Sequence, residues 1–102
     1  MRTIKELSKL NGRVYVYLAN AEIGKRFLQQ AEAEGFTYHD GVKPIERGYS
    51  TIMAVNCDKT INFVGTNGNI AYRSGVKSVG SEQLIRINGE KYLSGADDDM
   101  YN

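Results

Sequence analysis

The strongest structural signal in the sequence is a helix between Asn20 and Gly35. Ile23, Phe27 and Ala31 recur at intervals of four residues, which places them on one side of a helix. Asparagine is a common N-cap residue, and glycine favours the left-handed conformation that ends many helices. A helix that is apolar on one side only must bury that side, so we expect it to pack on a sheet.

The strand before this helix is predicted to be central in that sheet. In residues 13–18, Val14 and Val16 alternate with Tyr15 and Tyr17, so both faces of the strand are largely apolar. Further strands are predicted at residues 51–56, 60–64, 69–73 and 83–87, and a short helix at residues 4–10. The sequence therefore predicts one α+β domain over residues 1–102, with one main helix, a short N-terminal helix and a mostly antiparallel sheet of about four to five strands.

Composition narrows the classes of function. The chain has 13 basic and 12 acidic residues, a net charge of +1, so it lacks the bulk positive charge that duplex nucleic acid or an anionic membrane would require, although a local basic pocket is compatible with it. A single cysteine, Cys57, and a single histidine, His39, are too few for an ordinary zinc site or a disulfide within the chain. No secretory signal or membrane-spanning stretch is evident. We expect a cytoplasmic protein without a metal or cofactor.

Support for catalysis is weak. His39-Asp40 lies in the predicted loop 36–48, where adjacent residues rarely form a base and its orienting carboxylate, so a polar loop pair is expected. Cys57 ends an apolar strand, and no basic cluster is predicted near it, which favours a structural thiol. The segment 65–69 (GTNGN) has no following lysine and is predicted to form a β-turn that opens a strand, so it is not a P-loop. We therefore expect a protein that is not an enzyme.

Several side chains in the second half of the chain are suited to a nucleotide. The guanidinium groups of Arg47, Arg73 and Arg86 can each bind a phosphate bidentately. Arg86 lies between two isoleucines of a predicted strand and is expected to project from the face opposite to them. Asn69 can hydrogen-bond a base edge or a ribose hydroxyl. For each arginine the alternative is a solvated strand position with no role in binding.

Four segments carry a resemblance to a known family. They are residues 48–55 (GYSTIMAV), 59–65 (KTINFVG), 68–72 (GNIAY) and 85–95 (IRINGEKYLSG), followed by an acidic tail. These segments resemble short proteins from phages and prophages of Gram-positive bacteria, in particular the phage anti-Thoeris signal-sequestering proteins, or sponges, that bind cyclic ADP-ribose isomers. The resemblance covers about the last two-thirds of the chain.

The resemblance implies a phage-encoded anti-defence protein that is a homo-oligomer with ligand pockets at subunit interfaces. The implied ligand has two phosphates, two riboses and adenine and is held without cleavage; related sponges also take cyclic oligonucleotides. The family contacts its ligand through an asparagine and a late arginine, matched here by Asn69 and Arg86, and through an aromatic residue, for which Phe63 and Tyr72 both fit. The alternative is a protein-binding module that docks on a host protein, which the tyrosine-rich composition and the loop 36–48 favour.

Overall fold

The computed structural model describes residues 2–95 and shows an α+β fold built on one five-stranded mixed sheet. The strands are β1 (Arg13–Tyr17), β2 (Ile52–Val55), β3 (Ile61–Phe63), β4 (Ser78–Val79) and β5 (Glu82–Asn88). The helices are α1 (Ile4–Ser8), α2 (Ala21–Ala33), α3 (Pro44–Arg47), α4 (Gly65–Ser74) and α5 (Gly89–Leu93). Within residues 2–95 no helix combines the length and the apolar composition needed to cross a bilayer. The predicted acidic tail lies outside the described residues.

Strand β1 is the central strand, as predicted. The sheet order is β3-β2-β1-β5-β4, in which β1 runs antiparallel to β2 and parallel to β5, and both outer pairs are antiparallel. Tyr17 and Asn88 are register partners at the last positions of β1 and β5. Because the two strands are parallel, their C-terminal ends lie at the same end of the sheet, which we call the carboxyl edge.

The first face of the sheet is covered by α2, the helix predicted between Asn20 and Gly35. The Asn20 side chain caps it by accepting a hydrogen bond from the backbone N–H of Ile23 at 3.0 Å. The predicted apolar side of the helix is buried, and Phe27 and Ala31 are at most 1% exposed. This packing forms the main core of the protein.

Helix α1 lies beside α2 and is joined to its C-terminal end. The hydroxyl of Thr3 caps the helix by accepting from the N–H of Glu6 at 3.1 Å. The Glu34 carboxylate, at the end of α2, accepts from the N–H groups of Ile4 and Lys5 at 2.9 and 2.7 Å. A carboxylate at the first turn of a helix satisfies otherwise unpaired donors, so α1 is held on α2.

The second face of the sheet is partly covered by α4, where the sequence predicts a β-turn followed by a strand at residues 69–73. That prediction is wrong. Gly68 and Tyr72 lie four residues apart and both pack inward, with Tyr72 only 8% exposed. They cover an apolar surface formed by Tyr15, Ala54 and Leu84. Burial of this surface overrides the poor helix propensity of a segment rich in glycine and asparagine.

The connection between α2 and β2 contains α3, which the sequence does not predict. It begins at Pro44, which suits the first turn of a helix because proline lacks an N–H and has a fixed φ. The N–H of Ile45 reaches back to the Glu32 carboxylate of α2 at 3.3 Å. The short helix therefore anchors the middle of this long loop on α2.

Candidate functional site

A shallow cavity of about 380 Å³ lies at the carboxyl edge, on the second face of the sheet. We call it the carboxyl-edge cavity. Its volume is within the range of roughly 300–1,000 Å³ that is usual for small-molecule sites. Ligands of open sheets commonly bind where parallel strands end. The cavity is lined by Tyr17, Tyr72, Arg73, Arg86 and Asn88.

Strand β5 places Arg86 in this cavity. Its neighbours Ile85 and Ile87 pack with the core of the first face, so the Arg86 side chain projects from the second face, as predicted. Its Nη1 group donates to the backbone carbonyl of Tyr72 at 3.3 Å. This contact fixes the guanidinium beside the last turn of α4.

The second cation, Arg73, comes from α4 rather than from a strand. The sequence places Tyr72 and Arg73 on opposite faces of one strand, whereas on the helix both line the cavity. The Arg73 side chain is exposed and forms no hydrogen bond or ion pair with residues 2–95, which the structure describes. Two guanidinium groups from separate elements therefore border one cavity.

Two tyrosine rings form the aromatic wall of the cavity. The rings of Tyr17 and Tyr72 are stacked, with centroids 6.1 Å apart and an interplanar angle of 27°. Tyr72 is buried and donates from its hydroxyl to the carbonyl of Ile87 at 3.4 Å, whereas Tyr17 is only partly buried. Tyr17 therefore offers the accessible ring face. Sequence reasoning missed Tyr17, although its place at the end of a predicted central strand was a usable signal.

The charge of the lining is one-sided. Two of the five lining residues are arginines and none is a carboxylate. Low-dielectric walls strengthen the field of such a cluster, so an almost neutral protein can carry a local anion site. Asn88, also missed by sequence reasoning, adds an amide beside the two cations.

Arg47 and Phe63 lie elsewhere. They belong to a separate cavity of about 260 Å³, the loop cavity, which is beside the edge strand β3 and is lined by Tyr38, His39, Asp40, Arg47, Ile61, Asn62 and Phe63. Strand β2 separates β3 from β1 in the sheet. The structure therefore does not bring Arg47 and Phe63 together with Tyr72, Arg73 and Arg86.

The contacts of Arg47 are satisfied within its own loop. Its Nη1 and Nη2 groups donate to the two carboxylate oxygens of Asp40 at 3.1 and 2.5 Å, and its guanidinium lies 4.7 Å from the centre of the Tyr38 ring. The hydrogen bonds from Arg47 lower the pKa of the Asp40 carboxyl. Asp40 thus pairs with Arg47 and not with His39, and the ion pair links the two parts of this connection.

Asn69 lies on α4 but does not line either cavity. Its Nδ2 group donates to the backbone carbonyl of Gly65 at 2.7 Å, one turn earlier in the helix. The side chain predicted to contact a base is instead committed to the first turn of α4.

A larger cavity, about 740 Å³, lies at the opposite end of β1. Arg13 and Glu82 on its rim form an ion pair at 2.8 Å, and its aromatic side chain is the buried Tyr15. It therefore lacks the unpaired arginine and the accessible ring that the carboxyl-edge cavity has.

No metal site and no similarity to a known protein points to a function for the described residues. The described part of the chain holds no group of three or more His, Cys, Asp or Glu side chains that could bind a metal ion. Comparisons of the chain with models of protein families, with curated proteins and with solved structures find no match. The functional argument therefore rests on the chemistry of the carboxyl-edge cavity.

Proposed function

We propose that this protein binds a small phosphate-bearing nucleotide in the carboxyl-edge cavity and sequesters it without cleaving it. The observation that carries the proposal is the convergence of Arg73 and Arg86 on a cavity that also presents a tyrosine ring and an asparagine amide. We further propose that the ligand is a cyclic nucleotide-type immune signal, a cyclic ADP-ribose isomer, and that the protein is a phage anti-defence protein acting in the host cytoplasm.

The two arginines supply the anion-binding part of the site. Phosphates are well matched by guanidinium groups, which donate in a planar fork. Arg86 is held by β5 and by its contact with the Tyr72 carbonyl, so little side-chain freedom is lost when it binds. Arg73 is exposed on α4 and lines the same cavity. A ligand with two phosphates suits two such cations.

Tyr17 supplies the surface for a base. Stacking of a base on an aromatic side chain contributes about 1–3 kcal/mol in nucleic-acid systems. The rings of Tyr17 and Tyr72 are 6.1 Å apart, closer than the roughly 7 Å that a ring inserted between them would need at ordinary stacking contact. The base therefore stacks on the open face of Tyr17, and Tyr72 supports that ring from behind.

The lining favours binding over turnover. None of its five residues is a serine, cysteine, lysine, histidine or carboxylate, the side chains that most often act as nucleophile or general base. Sequestration needs affinity alone. This composition agrees with the sponge proteins that about the last two-thirds of the sequence resembles.

A homo-oligomer with cavities at its subunit contacts forms part of the proposal. The carboxyl-edge cavity is shallow, and Ile70, on the helix that carries Arg73, is 59% exposed. Val76, just after this helix, is 39% exposed. A second subunit placed over α4 would bury both side chains and deepen the cavity.

The test is a capture and release experiment. The purified protein is mixed with a cyclic ADP-ribose isomer, freed of unbound ligand and heat-denatured, and the released material is identified by mass spectrometry. Recovery of intact ligand supports sequestration. Recovery of a hydrolysed product, or of no ligand, contradicts the proposal. Arg47→Ala is the matched control, because that arginine lies outside the carboxyl-edge cavity and should leave recovery unchanged.

The second candidate function is a protein-binding module. It is favoured by the loop cavity, where Phe63 is 45% exposed beside Arg47, because aromatic and arginine side chains are enriched in protein interfaces. A pull-down from host lysate separates the two functions. A stoichiometric protein partner that Phe63→Ala abolishes, with no nucleotide released on denaturation, would favour this candidate.

A further inference from the structure

The Asn88 side chain is fixed in one orientation at the carboxyl edge. It is the N-cap of α5, and its Oδ1 atom accepts a hydrogen bond from the backbone N–H of Lys91 at 3.1 Å. The partner is a donor, so the atom facing it must be the amide oxygen. The orientation of the amide is thereby settled by the helix cap.

This cap leaves the amide nitrogen of Asn88 for a ligand. The Nδ2 group forms no hydrogen bond with residues 2–95, and it is not a fully buried atom. The Nδ2 group is therefore within reach of solvent. Since Oδ1 accepts from the helix cap, the group that Asn88 leaves unpaired is Nδ2, with two N–H donors.

Asn88 lies beside the proposed phosphate-binding arginine. Arg86 and Asn88 are two residues apart on β5, so their side chains project from the same face, roughly 6–7 Å apart along the strand. Across the sheet, Asn88 pairs with Tyr17. An acceptor held by Asn88 would thus lie between the anion on Arg86 and the ring on Tyr17.

We propose that Asn88 is a specificity-determining residue of the carboxyl-edge cavity and donates from Nδ2 to a hydrogen-bond acceptor that the ligand carries next to its phosphate. This inference rests on the proposed function. Three side chains of the site, Arg73, Arg86 and Asn88, then present donors to the ligand. It selects ligands with an oxygen or ring nitrogen acceptor beside the phosphate, and it disfavours ligands with an amino group at that position.

Asn88→Asp is the sharpest test, because aspartate caps a helix as well as asparagine does but replaces the donor with a negatively charged acceptor. Asn20→Asp is the matched control. Asn20 caps α2 through the same type of contact, to Ile23 at 3.0 Å, and does not line the cavity. Dissociation constants for cyclic ADP-ribose are measured by calorimetry for both variants and for the wild type, with thermal melts alongside.

We expect Asn88→Asp to weaken binding by about tenfold or more, since it removes a hydrogen bond and places a carboxylate beside a phosphate. Asn20→Asp should remain within about twofold of the wild type, because its site is remote. Asn88→Ser keeps a capping oxygen but replaces the two amide donors with one hydroxyl on a shorter side chain, and should weaken binding by about threefold to tenfold. If Asn88→Asp folds poorly, Asn88→Ser decides the matter. Binding at the wild-type level by the folded variant would overturn the inference.

The arginine variants separate this inference from the proposed function. If the wild type binds cyclic ADP-ribose, Arg73→Ala loses binding and Asn88→Asp retains it, the nucleotide site stands and the role of Asn88 is wrong. If the wild type binds no cyclic ADP-ribose, the proposed function fails and the inference fails with it.

Discussion

The Arg86 guanidinium donates from Nη1 to the backbone carbonyl of Tyr72 at 3.3 Å and so ties the last turn of α4 to β5. The C-terminal carbonyls of a helix lack partners within the helix and attract cations. Arg86 therefore has a structural contact as well as a proposed contact with ligand. Because the Arg73 side chain has no such structural contact, replacing the two arginines of the carboxyl-edge cavity should have different effects on stability.

Arg73→Ala should weaken nucleotide binding without a loss of stability, because the Arg73 side chain is exposed and forms no hydrogen bond with the described residues. Arg86→Ala should weaken binding by about 1.5–3 kcal/mol, roughly one to two decades in dissociation constant. It should also lower the free energy of unfolding by about 1 kcal/mol, or roughly 4–8 °C in melting temperature. Calorimetry and thermal melts on both variants test this. Normal binding by Arg86→Ala, together with a large drop in melting temperature, would make Arg86 purely structural.

Tyr17→Leu should weaken binding by about 1–3 kcal/mol, because leucine fills space but cannot stack with a base. Tyr17→Phe keeps the ring and should bind within about threefold of the wild type if stacking dominates. The ratio of the two dissociation constants is the informative quantity. Equal affinities for the phenylalanine and leucine variants would show that no base stacks on Tyr17.

Gly68→Ala should destabilise the protein by about 1–3 kcal/mol, the usual cost of overpacking. A Cβ atom on Gly68 would lie 2.5 Å from the Cβ of Val64, and that atom cannot move without its backbone. Asn67→Ala is the control, because Asn67 is exposed on the same helix and alanine has the higher helix propensity. Chemical denaturation of both variants provides the comparison, and equal stability would show that α4 does not pack this closely.

Asp40→Asn should destabilise the protein in a pH-dependent manner. Arg47 lowers the pKa of the Asp40 carboxyl in the folded state below its ordinary value of 3.8, so the ionised form is favoured by folding. This stabilisation is fully present above the pKa of the unfolded chain and is lost as the pH falls through the folded pKa. The gap in melting temperature between wild type and variant should therefore be constant near pH 7 and shrink below pH 3.8. A gap that does not depend on pH would contradict the role of this ion pair.

The elements predicted best from the sequence are those whose apolar residues recur at regular spacing because they face the core. The stripe of Ile23, Phe27 and Ala31 predicts α2 together with its cap and end, and the alternation in residues 13–18 predicts the central strand. Helix α4 could not be predicted in this way. Its inward positions are a glycine and a tyrosine, and the surface that it covers comes from distant strands.

The candidate site was predictable only in part, for the same reason. Arg86 follows from the alternation of its own strand, and the sequence predicts Tyr72 and Arg73 as ligand-binding candidates but places them on a strand instead of on helix α4. Tyr17 and Asn88 meet only because β1 and β5 are parallel neighbours, although about 70 residues separate them in sequence. A single sequence carries no local signal for such a pairing.

Native mass spectrometry of the wild type and Arg73→Ala, each incubated with a cyclic ADP-ribose isomer, tests the central claim most directly because it reports subunit number and retained ligand together. We predict a wild-type homo-oligomer that carries intact ligand, and a variant oligomer of the same subunit number without ligand. A wild type that carries no ligand, or equal ligand occupancy in the wild type and the Arg73→Ala variant, would contradict the claim that the carboxyl-edge cavity binds a nucleotide.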